Sequence, residues 1–279
     1  MKRFVEAFAT ASRRSLLATT TLACLAACIP EDTTIARGGI ALHFDPSETM
    51  ARGAEFTTAD GWHVIIEKAI VSLEALPGDG CNYKEADFGG ILYDARYPLL
   101  TVIRGAEAKE CKYFVAFRGG LRSPRLEGAD EADRLLLTQG KDALEVPYAI
   151  HYVGSGSYGK ETVRFDFGVA ISGLALKFAA QIPEDDKVDS TFIVKADEIF
   201  RTGNPGSVGP FAFTPIWLAD QRGNKDGVVT NDELDKLRVS RLGAFTPGSE
   251  LKLSDYFSQR AMNMVRIVSI NVGEPKEAR

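Results

Sequence analysis

Residues 62–73 read WHVIIEKAIVSL, an apolar run with a charged pair, Glu67-Lys68, at its centre. Valine, isoleucine and tryptophan are enriched in strands because their side chains pack well on a pleated surface. A charged pair inside such a run indicates a β-bulge, in which one extra residue shifts the alternation of faces. The stretch therefore predicts a long strand that is bulged near Glu67-Lys68.

Similar patterns recur on both sides of this strand. In Ile40–Phe44 (IALHF) the apolar residues alternate with Ala41 and His43, as expected of a strand with one buried face. Residues 163–178 alternate too, but their apolar set changes face around Gly173, which predicts a strand that bends between two sheets. Short strands separated by glycine, proline and aspartate turns predict a mainly β protein, a β-sandwich. The other predicted strands are Ile91–Asp94, Leu99–Ile103, Tyr113–Phe117, Val146–Val153 and Thr191–Phe200.

Three helices are predicted among these strands. Glu131–Thr138 is short and stops before Gly140, and Asn231–Arg238 follows a polar loop. Asp255–Val265 has Ser254 as its N-cap and an apolar set at helical spacing. The glycine- and proline-rich residues 202–210 (TGNPGSVGP) separate the strand-rich part of the chain from the part that holds the last two helices.

The loop before the second of these helices, residues 220–234 (DQRGNKDGVVTNDEL), carries oxygen ligands at regular spacing. With Gly227 at a sharp turn, Asn224 and Asp226 precede it, and Val228 offers a backbone carbonyl. Thr230 and Glu233 follow, and Glu233 can bind with both oxygens. The residues from Thr230 to Glu233 also form a capping box, so the helix begins where the loop ends.

This loop resembles the EF-hand and dockerin-type calcium loops of exported bacterial proteins. The resemblance implies a weak, structural Ca²⁺ site formed by six ligands: Asp220, Asn224, Asp226, Val228, Thr230 and Glu233. It departs from the pattern at its first position, where Arg222 replaces an aspartate; Asp220 can take that role if Gly223 lets the backbone bulge. The alternative is a loop without an ion, in which the Arg222 guanidinium pairs with Asp226 or Glu233.

The first 28 residues predict a targeting segment. A basic stretch with Arg13-Arg14 leads into an apolar run, Leu16–Ala27, that is too short to span a bilayer as a stable helix. Leu25-Ala26-Ala27-Cys28 resembles the lipobox of bacterial lipoproteins, which implies lipidation at Cys28 and anchoring in the membrane. The paired arginines resemble a twin-arginine signal, and a Sec signal is the alternative. Ile29 in place of an aspartate favours the outer over the inner membrane.

Charge and cysteine content limit the function further. Residues 1–27 hold four basic residues and one acidic residue, so their removal takes the totals from 33 and 38 to 29 and 37, a net charge of about −8. This balance argues against nucleic acid as a partner. Cys81 and Cys111 then remain, and in an oxidising exported setting they predict a disulfide worth about 3–4 kcal/mol; a two-cysteine metal site is the alternative.

Other motifs are weaker. Residues 154–159 (GSGSYG) match a dinucleotide-binding string, but a strand pattern follows where a helix is required, so a hairpin loop is predicted. His43, His63 and His151 lie on different predicted strands and could meet, with Met50, at a copper or zinc site. No arrangement of nucleophile, histidine and acid stands out, so catalysis has no support in the sequence.

These features predict a lipid-anchored protein of the cell envelope, a binding or structural module whose partner is an unidentified envelope protein or surface ligand. A copper or zinc carrier is the first alternative, and a hydrolase without a visible motif is the second. The expected divisions are a signal peptide (1–27), a lipid-anchored linker (28–37), a β-sandwich (38–201), an EF-hand-like calcium segment (202–245), and a C-terminal helix and strand that pack on the sandwich (246–279).

Overall fold

The structure is a computed structural model that describes residues 37–77, 90–107, 110–142, 144–171, 174–181, 187–204, 207–241 and 251–271. All of these residues belong to one compact unit. Cys28, Cys81 and Gly173 lie outside the described residues, as does the predicted signal peptide.

The chain is mainly β. Its strands, in chain order, are β1 (Arg37–Pro46), β2 (Glu55–Thr57), β3 (His63–Pro77), β4 (Ile91–Asp94), β5 (Leu99–Glu107), β6 (Glu110–Phe117), β7 (Arg125–Glu127), β8 (Tyr148–Tyr158), β9 (Glu161–Ala170), β10 (Leu174–Gln181), β11 (Lys187–Val194), β12 (Val228–Val229) and β13 (Val265–Asn271). The α-helices are α1 (Glu48–Ala51), α2 (Glu131–Gln139), α3 (Thr214–Arg222), α4 (Asn231–Leu234) and α5 (Leu253–Ala261). Two 3₁₀ helices cover Ala196–Phe200 and Val239–Arg241.

Across the described ranges the strands form two mixed sheets. The first has the order β13-β11-β1-β5, with β1 parallel to β11 and antiparallel to β5. The second has the order β10-β6-β3-β8-β9-β12; β2 and β4 also pair with β3, and β7 pairs with β4. This arrangement is consistent with the predicted β-sandwich, and every strand predicted before residue 154 overlaps an observed one.

Strand β3 lies at the centre of the second sheet and is bulged where the sequence predicts. Its register against β8 shifts between Ile66 and Lys68, so Glu67 is the extra residue. Val64 and Ile66 are buried in the main core before the shift, and Ala69 and Val71 are buried there after it. The bulge therefore moves the core-facing positions from even to odd numbers and keeps Lys68 out of the core.

The two sheets meet through aromatic side chains. Phe44 of the first sheet stacks on its neighbour Phe192 at 5.0 Å between ring centroids. It also contacts Phe117 and Tyr93 of the second sheet, at 6.4 and 6.0 Å. A smaller cluster lies elsewhere in the second sheet, where Leu137 of α2 packs with Ile70 and Tyr148. Large aromatic rings thus supply much of the apolar area that joins the layers.

The prediction of one bending strand over residues 163–178 is wrong. The segment forms two strands, β9 and β10, and both belong to the second sheet, beside β8 and β6 respectively. The face change therefore reflects a break between strands that lie on opposite sides of β3. Residues 154–158 were also predicted wrongly, because they lie within β8 and only Gly159 and Lys160 form the turn to β9. Gly154 has no room for a Cβ, which would lie 2.2 Å from the Ile65 carbonyl oxygen.

Three further boundaries differ from the prediction. The strand predicted to reach Phe200 ends at Val194, and the 3₁₀ helix that follows buries every residue from 196 to 200, a pattern that the alternation of a half-buried strand does not allow. The helix predicted over 231–238 ends at Leu234. The helix predicted over 255–265 runs from Leu253 to Ala261 with Lys252 rather than Ser254 as N-cap, and Val265 instead pairs with Val194 as the start of β13.

A fully buried arginine fixes the loop that leads from the strands to α3. Arg260 of α5 donates to Glu198 Oε1 at 3.0 Å, to the Ser207 carbonyl at 2.9 Å and to the Tyr256 hydroxyl at 2.9 Å. It also donates to the carbonyl of Thr202. The guanidinium fork thereby satisfies loop carbonyls that neither sheet reaches.

We expect Arg260→Met to lower the free energy of unfolding by about 3–5 kcal/mol, because Glu198 keeps only the more exposed Arg201 as a cation and the Thr202 and Ser207 carbonyls lose their donor. Arg266→Met is the matched control, since Arg266 is exposed on β13, and its effect should stay within about 0.5 kcal/mol. Urea denaturation of both variants measures the difference. Equal stability of the two variants would show that the buried pair contributes nothing.

Candidate functional site

Helix α3 begins at Thr214, with Pro215 in its first turn. Asp60 accepts hydrogen bonds from the backbone N–H groups of Phe213, at 3.1 Å, and Thr214, at 2.8 Å. Burial raises the pKa of Asp60, but its hydrogen bonds with Thr214, Thr58 and Phe213 together lower the pKa by more than burial raises it. The net pKa therefore lies below the ordinary value. An ionised carboxylate therefore caps the helix that carries Asp220.

Three carboxylates converge at the other end of α3. Asp220, Asp226 and Glu233, the acidic triad, each offer an oxygen within 4.8 Å of the others. Asp220 and Glu233 are each only 2% exposed, whereas Asp226 is exposed. Among the residues that the structure describes, this is the only group of three or more histidine, cysteine or acidic side chains close enough to hold a metal ion.

Neutral donors hold each carboxylate in place. Asp220 Oδ1 accepts from the Gly227 N–H at 2.9 Å. The two oxygens of Glu233 accept from the N–H groups of Asn224, at 3.2 Å, and Thr230, at 3.1 Å, the second of which completes the predicted capping box. Asp226 accepts from the Val228 N–H and the Asn224 side chain, both at 2.9 Å. The three groups are therefore positioned before any ligand arrives.

No cationic side chain pairs with the acidic triad in the part of the chain that the structure describes. Arg222 is exposed at the end of α3 and forms no ion pair with any of the three carboxylates there. Carboxylates that are close together and removed from water are unfavourable as anions unless a cation balances them. The site therefore has the donor set and the charge that suit a hard divalent cation.

Two glycines allow the carboxylates to approach. A Cβ on Gly223 would lie 2.2 Å from Glu233 Oε1, so any other residue there would displace the Glu233 carboxylate. Gly227 has a backbone φ of +81°, which residues other than glycine rarely adopt. The sequence analysis assigned the sharp turn to Gly227, and the structure places it there.

The structure brings together three of the six predicted ligands, Asp220, Asp226 and Glu233. Asp220 reaches the site from within α3, without the backbone bulge at Gly223 on which the prediction depended, because the helix continues past it to Arg222. The N–H of Val228 points to Asp226, and the N–H and C=O of one strand residue lie on the same edge, so its carbonyl is also directed toward the loop. The Asn224 amide is bonded to Asp226, and Thr230 is exposed.

The loop is joined to the second sheet. Val228 and Val229 form β12, which pairs in parallel with Arg164 and Phe165 of β9. Farther along, the Asn231 side chain donates to the Gly168 carbonyl at 2.7 Å and accepts from the Gly168 N–H at 2.8 Å. Asn231 thus imitates a strand residue and extends the pairing beyond β12. The sequence analysis missed Asn231, because its partner is 63 residues away and no local spacing indicates the contact.

The three histidines do not converge, so the predicted copper or zinc site is not formed. His43 contacts Asp189 in the first sheet at 3.0 Å, and His63 contacts Glu55 in the second at 2.8 Å. His151 pairs with Ile70, whereas His63 lies at the opposite end of the β3–β8 ladder, paired with Ser157. Met50 is buried in the main core. Each ring is held by carboxylates instead.

The predicted disulfide and lipid anchor each involve a residue outside the described ranges. Cys111 lies in β6 opposite Ala180, but Cys81 and Cys28 are outside the described residues. No helix in the described ranges is long and apolar enough to cross a membrane.

Comparison of the chain with known protein families, with curated protein sequences and with solved structures finds no match.

We expect Asn231→Ala to lower the free energy of unfolding by about 1–3 kcal/mol, because the buried backbone groups of Gly168 lose both of their partners. Lys236→Ala, an exposed change close to α4, should stay within about 0.5 kcal/mol. Hydrogen exchange provides the site-specific measurement: the Gly168 amide should exchange faster in Asn231→Ala only. Equal protection of Gly168 in both variants would contradict the proposed pairing.

Proposed function

We propose that residues 214–234 are an EF-hand-like segment that binds one Ca²⁺ and that the ion stabilises the fold rather than switching it. The observation that carries this proposal is the convergence of two buried carboxylates and one exposed carboxylate with no cationic partner in the described residues. Asp220, Asp226 and Glu233 would supply charged oxygens, and the Val228 carbonyl a neutral one. Asn224 and Thr230 lie in the same loop and would complete the predicted set.

The donor set favours calcium over copper or zinc. All the available ligands are oxygens, and no histidine or cysteine belongs to the group. Carboxylate and carbonyl oxygens suit hard cations, whereas imidazole and thiolate suit copper and zinc. Ca²⁺ also accepts an irregular set of ligands more readily than Mg²⁺, which demands a near-ideal octahedron.

The position of Arg222 favours an ion over the alternative of an internal guanidinium. That alternative requires Arg222 to pair with Asp226 or Glu233, and the described contacts contain no such pair. Asp220 instead provides the carboxylate that Arg222 lacks. One exposed ligand leaves the ion open to water, which agrees with a dissociation constant of roughly 0.1–1 mM, typical of extracellular calcium modules.

Attachment to the sheet supports a structural role. Val228 and Val229 pair with β9, and Val229 is fully buried in the main core. Helix α4 is a single turn, too short to be stable alone. An ion that neutralises Asp220 and Glu233 would therefore hold α3, the loop and α4 against the edge of β9.

We expect calcium at about 10 mM to raise the free energy of unfolding by about 1.4–2.7 kcal/mol relative to chelator, from mass action at a dissociation constant of roughly 0.1–1 mM. The corresponding rise in Tm is about 3–10 °C. Thermal melts of the chain in calcium and in chelator measure it. Luminescence of Tb³⁺, excited through Trp217 on the same helix as Asp220, reports binding directly.

Asp220→Asn removes the negative charge but keeps the size of the side chain, and its amide oxygen can still accept from the Gly227 N–H. This variant should lose the calcium response and melt in chelator at least as high as the wild type, since repulsion of Glu233 is relieved. Asp232→Asn, an exposed carboxylate on α4, is the matched control and should respond as the wild type does. A calcium response that Asp220→Asn retains, or that the wild type lacks, refutes the site.

We further propose that the chain is an exported lipoprotein anchored through Cys28, with a binding or architectural task in the cell envelope. The lipobox-like Leu25–Cys28 and the short apolar run before it support this location. Export would also bring the loop to the millimolar calcium that a weak site needs.

We expect Cys28→Ser to move the full-length chain out of the membrane fraction of a bacterial host, because no acylated cysteine remains. Cys24→Ser is the matched control and should stay with the membrane. Mass spectrometry of the mature wild type should find an acylated residue 28 at its N-terminus. Membrane association that survives Cys28→Ser rules out this anchor.

A further inference from the structure

His151 lies between two carboxylates on the second sheet. Its Nδ1 is 2.7 Å from Asp133 Oδ1, and its Nε2 is 2.8 Å from Asp166 Oδ1. The residue is 6% exposed, and Asp133 is fully buried. A neutral imidazole has only one N–H, and an ionised carboxylate only accepts, so both short contacts require a ring that carries two protons.

The surroundings supply charges of both signs. From α2, Asp133 and Asp130 both contact Lys68 Nζ of β3, at 3.2 and 2.5 Å. From β9, Asp166 faces the ring, and Arg164 lies two residues away, 3.5 Å from Glu67 of β3. The immediate network therefore contains three carboxylates, Lys68 and the His151 ring.

Protonation of an aspartate is the other way to satisfy both contacts, and the geometry disfavours it. Asp133 already accepts from Lys68 and from the Asp130 N–H at 2.8 Å, which are interactions of an ionised carboxylate. The Asp166 side chain is 59% exposed, so water stabilises its charge. The shared proton therefore belongs to the imidazole.

We propose that His151 is an imidazolium latch between α2 and β9, and that the latch opens on the β9 side as pH rises. When the ring loses a proton, Nδ1–H stays with the buried Asp133, because that carboxylate has no access to water. Nε2 then presents a lone pair to Asp166, and the exposed carboxylate is released to solvent. His151, one of the three histidines of the alternative copper or zinc site, acts here as a pH-responsive cation.

The electrostatic environment agrees in direction with this geometry. Burial lowers the pKa of His151, but the hydrogen bonds to Asp133 and Asp166 raise it by more, so the net pKa lies above the ordinary 6.5. The hydrogen bond from His151 lowers the pKa of Asp166 below 3.8, against a smaller opposing effect of burial.

These two shifts set the pH window of the latch. Because the pKa of His151 is raised, its contribution to stability is complete below pH 6.5 and is lost as pH rises through the folded-state pKa. Because the pKa of Asp166 is lowered, its contribution is complete above pH 3.8 and is lost as pH falls through the folded-state pKa. The latch therefore stabilises the fold most between these two values.

An NMR titration of the ring nitrogens tests the proposal, with the chain's other two described histidines as internal controls. His43 and His63 each contact one carboxylate through Nε2 and have side chains 37% and 43% exposed. Assigned by His→Gln substitution, His151 should titrate at the highest pH of the three and have both nitrogens protonated in most molecules at pH 6.5. Asp166→Asn should weaken its proton affinity about tenfold, whereas Asp189→Asn, beside His43, should leave it unchanged.

A second measurement does not depend on NMR. The stability of the wild type should fall between pH 5 and pH 9 by more than that of His151→Gln, because only the wild type loses the Asp166 contact. The proposal is overturned if His151 titrates with or below His43 and His63, if Asp166→Asn leaves its midpoint unmoved, or if the two pH profiles are parallel.

Discussion

The carboxylates of Asp220 and Glu233 are buried together at the end of α3, and among the described residues no cationic side chain balances them. Neutral N–H groups orient these carboxylates but do not cancel their charge. Repulsion between them therefore opposes the very contacts that close the loop. The loop between α3 and α4 pairs with the sheet through a two-residue strand and is followed by one side-chain amide contact, so its position is sensitive to how this charge is balanced. A bound divalent cation would resolve the conflict, and this is the physical basis of the proposed calcium site.

The sequence predicted this site to the extent that its chemistry is local. The sharp turn at Gly227, the approach of Asp226 and Glu233 around it and the capping box from Thr230 to Glu233 all follow from neighbouring residues, and the structure agrees with each. Asp220 was named as the substitute for Arg222, but its route into the site was mistaken, because the length of α3 depends on packing against the core. The hydrogen bonds between the Asn231 side chain and the Gly168 backbone were not predicted for the same reason, because Gly168 lies on a strand that is distant in the sequence. Likewise, no spacing could show that His43, His63 and His151 lie in separate places.

The features of the fold likewise separate into those set by neighbouring residues, which the sequence predicts, and those set by distant contacts, which it does not. The bulge at Glu67 is visible in the sequence, because a charged pair that interrupts a β-branched run leaves a local mark on the alternation of faces. The separation of β9 from β10 is not visible, since a face change is equally compatible with a bend between sheets and with two strands of one sheet. The strand prediction fails at Ala196–Phe200, because the 3₁₀ helix there buries its polar residues with specific partners, Asp197 with Ser47 and Glu198 with Arg260. Burial of that kind depends on residues far away in the chain.

Strand β9 brings the two charged sites of the molecule next to each other. Arg164 and Phe165 pair with β12 beside the acidic triad, Asp166 contacts His151, and Gly168 is held by Asn231. Successive residues of a strand point to opposite faces, so one short segment can join an edge, the core and a charged outer face at once. The helices attached there, α2 and α4, have only nine and four residues and are too short to be stable alone. Their positions are specified by Asp133 on the imidazole and by Asn231 on the backbone of β9. Charge and hydrogen bonding thus hold elements together at the edge and outer face of this sheet, as the packing of Phe44 and its aromatic neighbours does between the two layers.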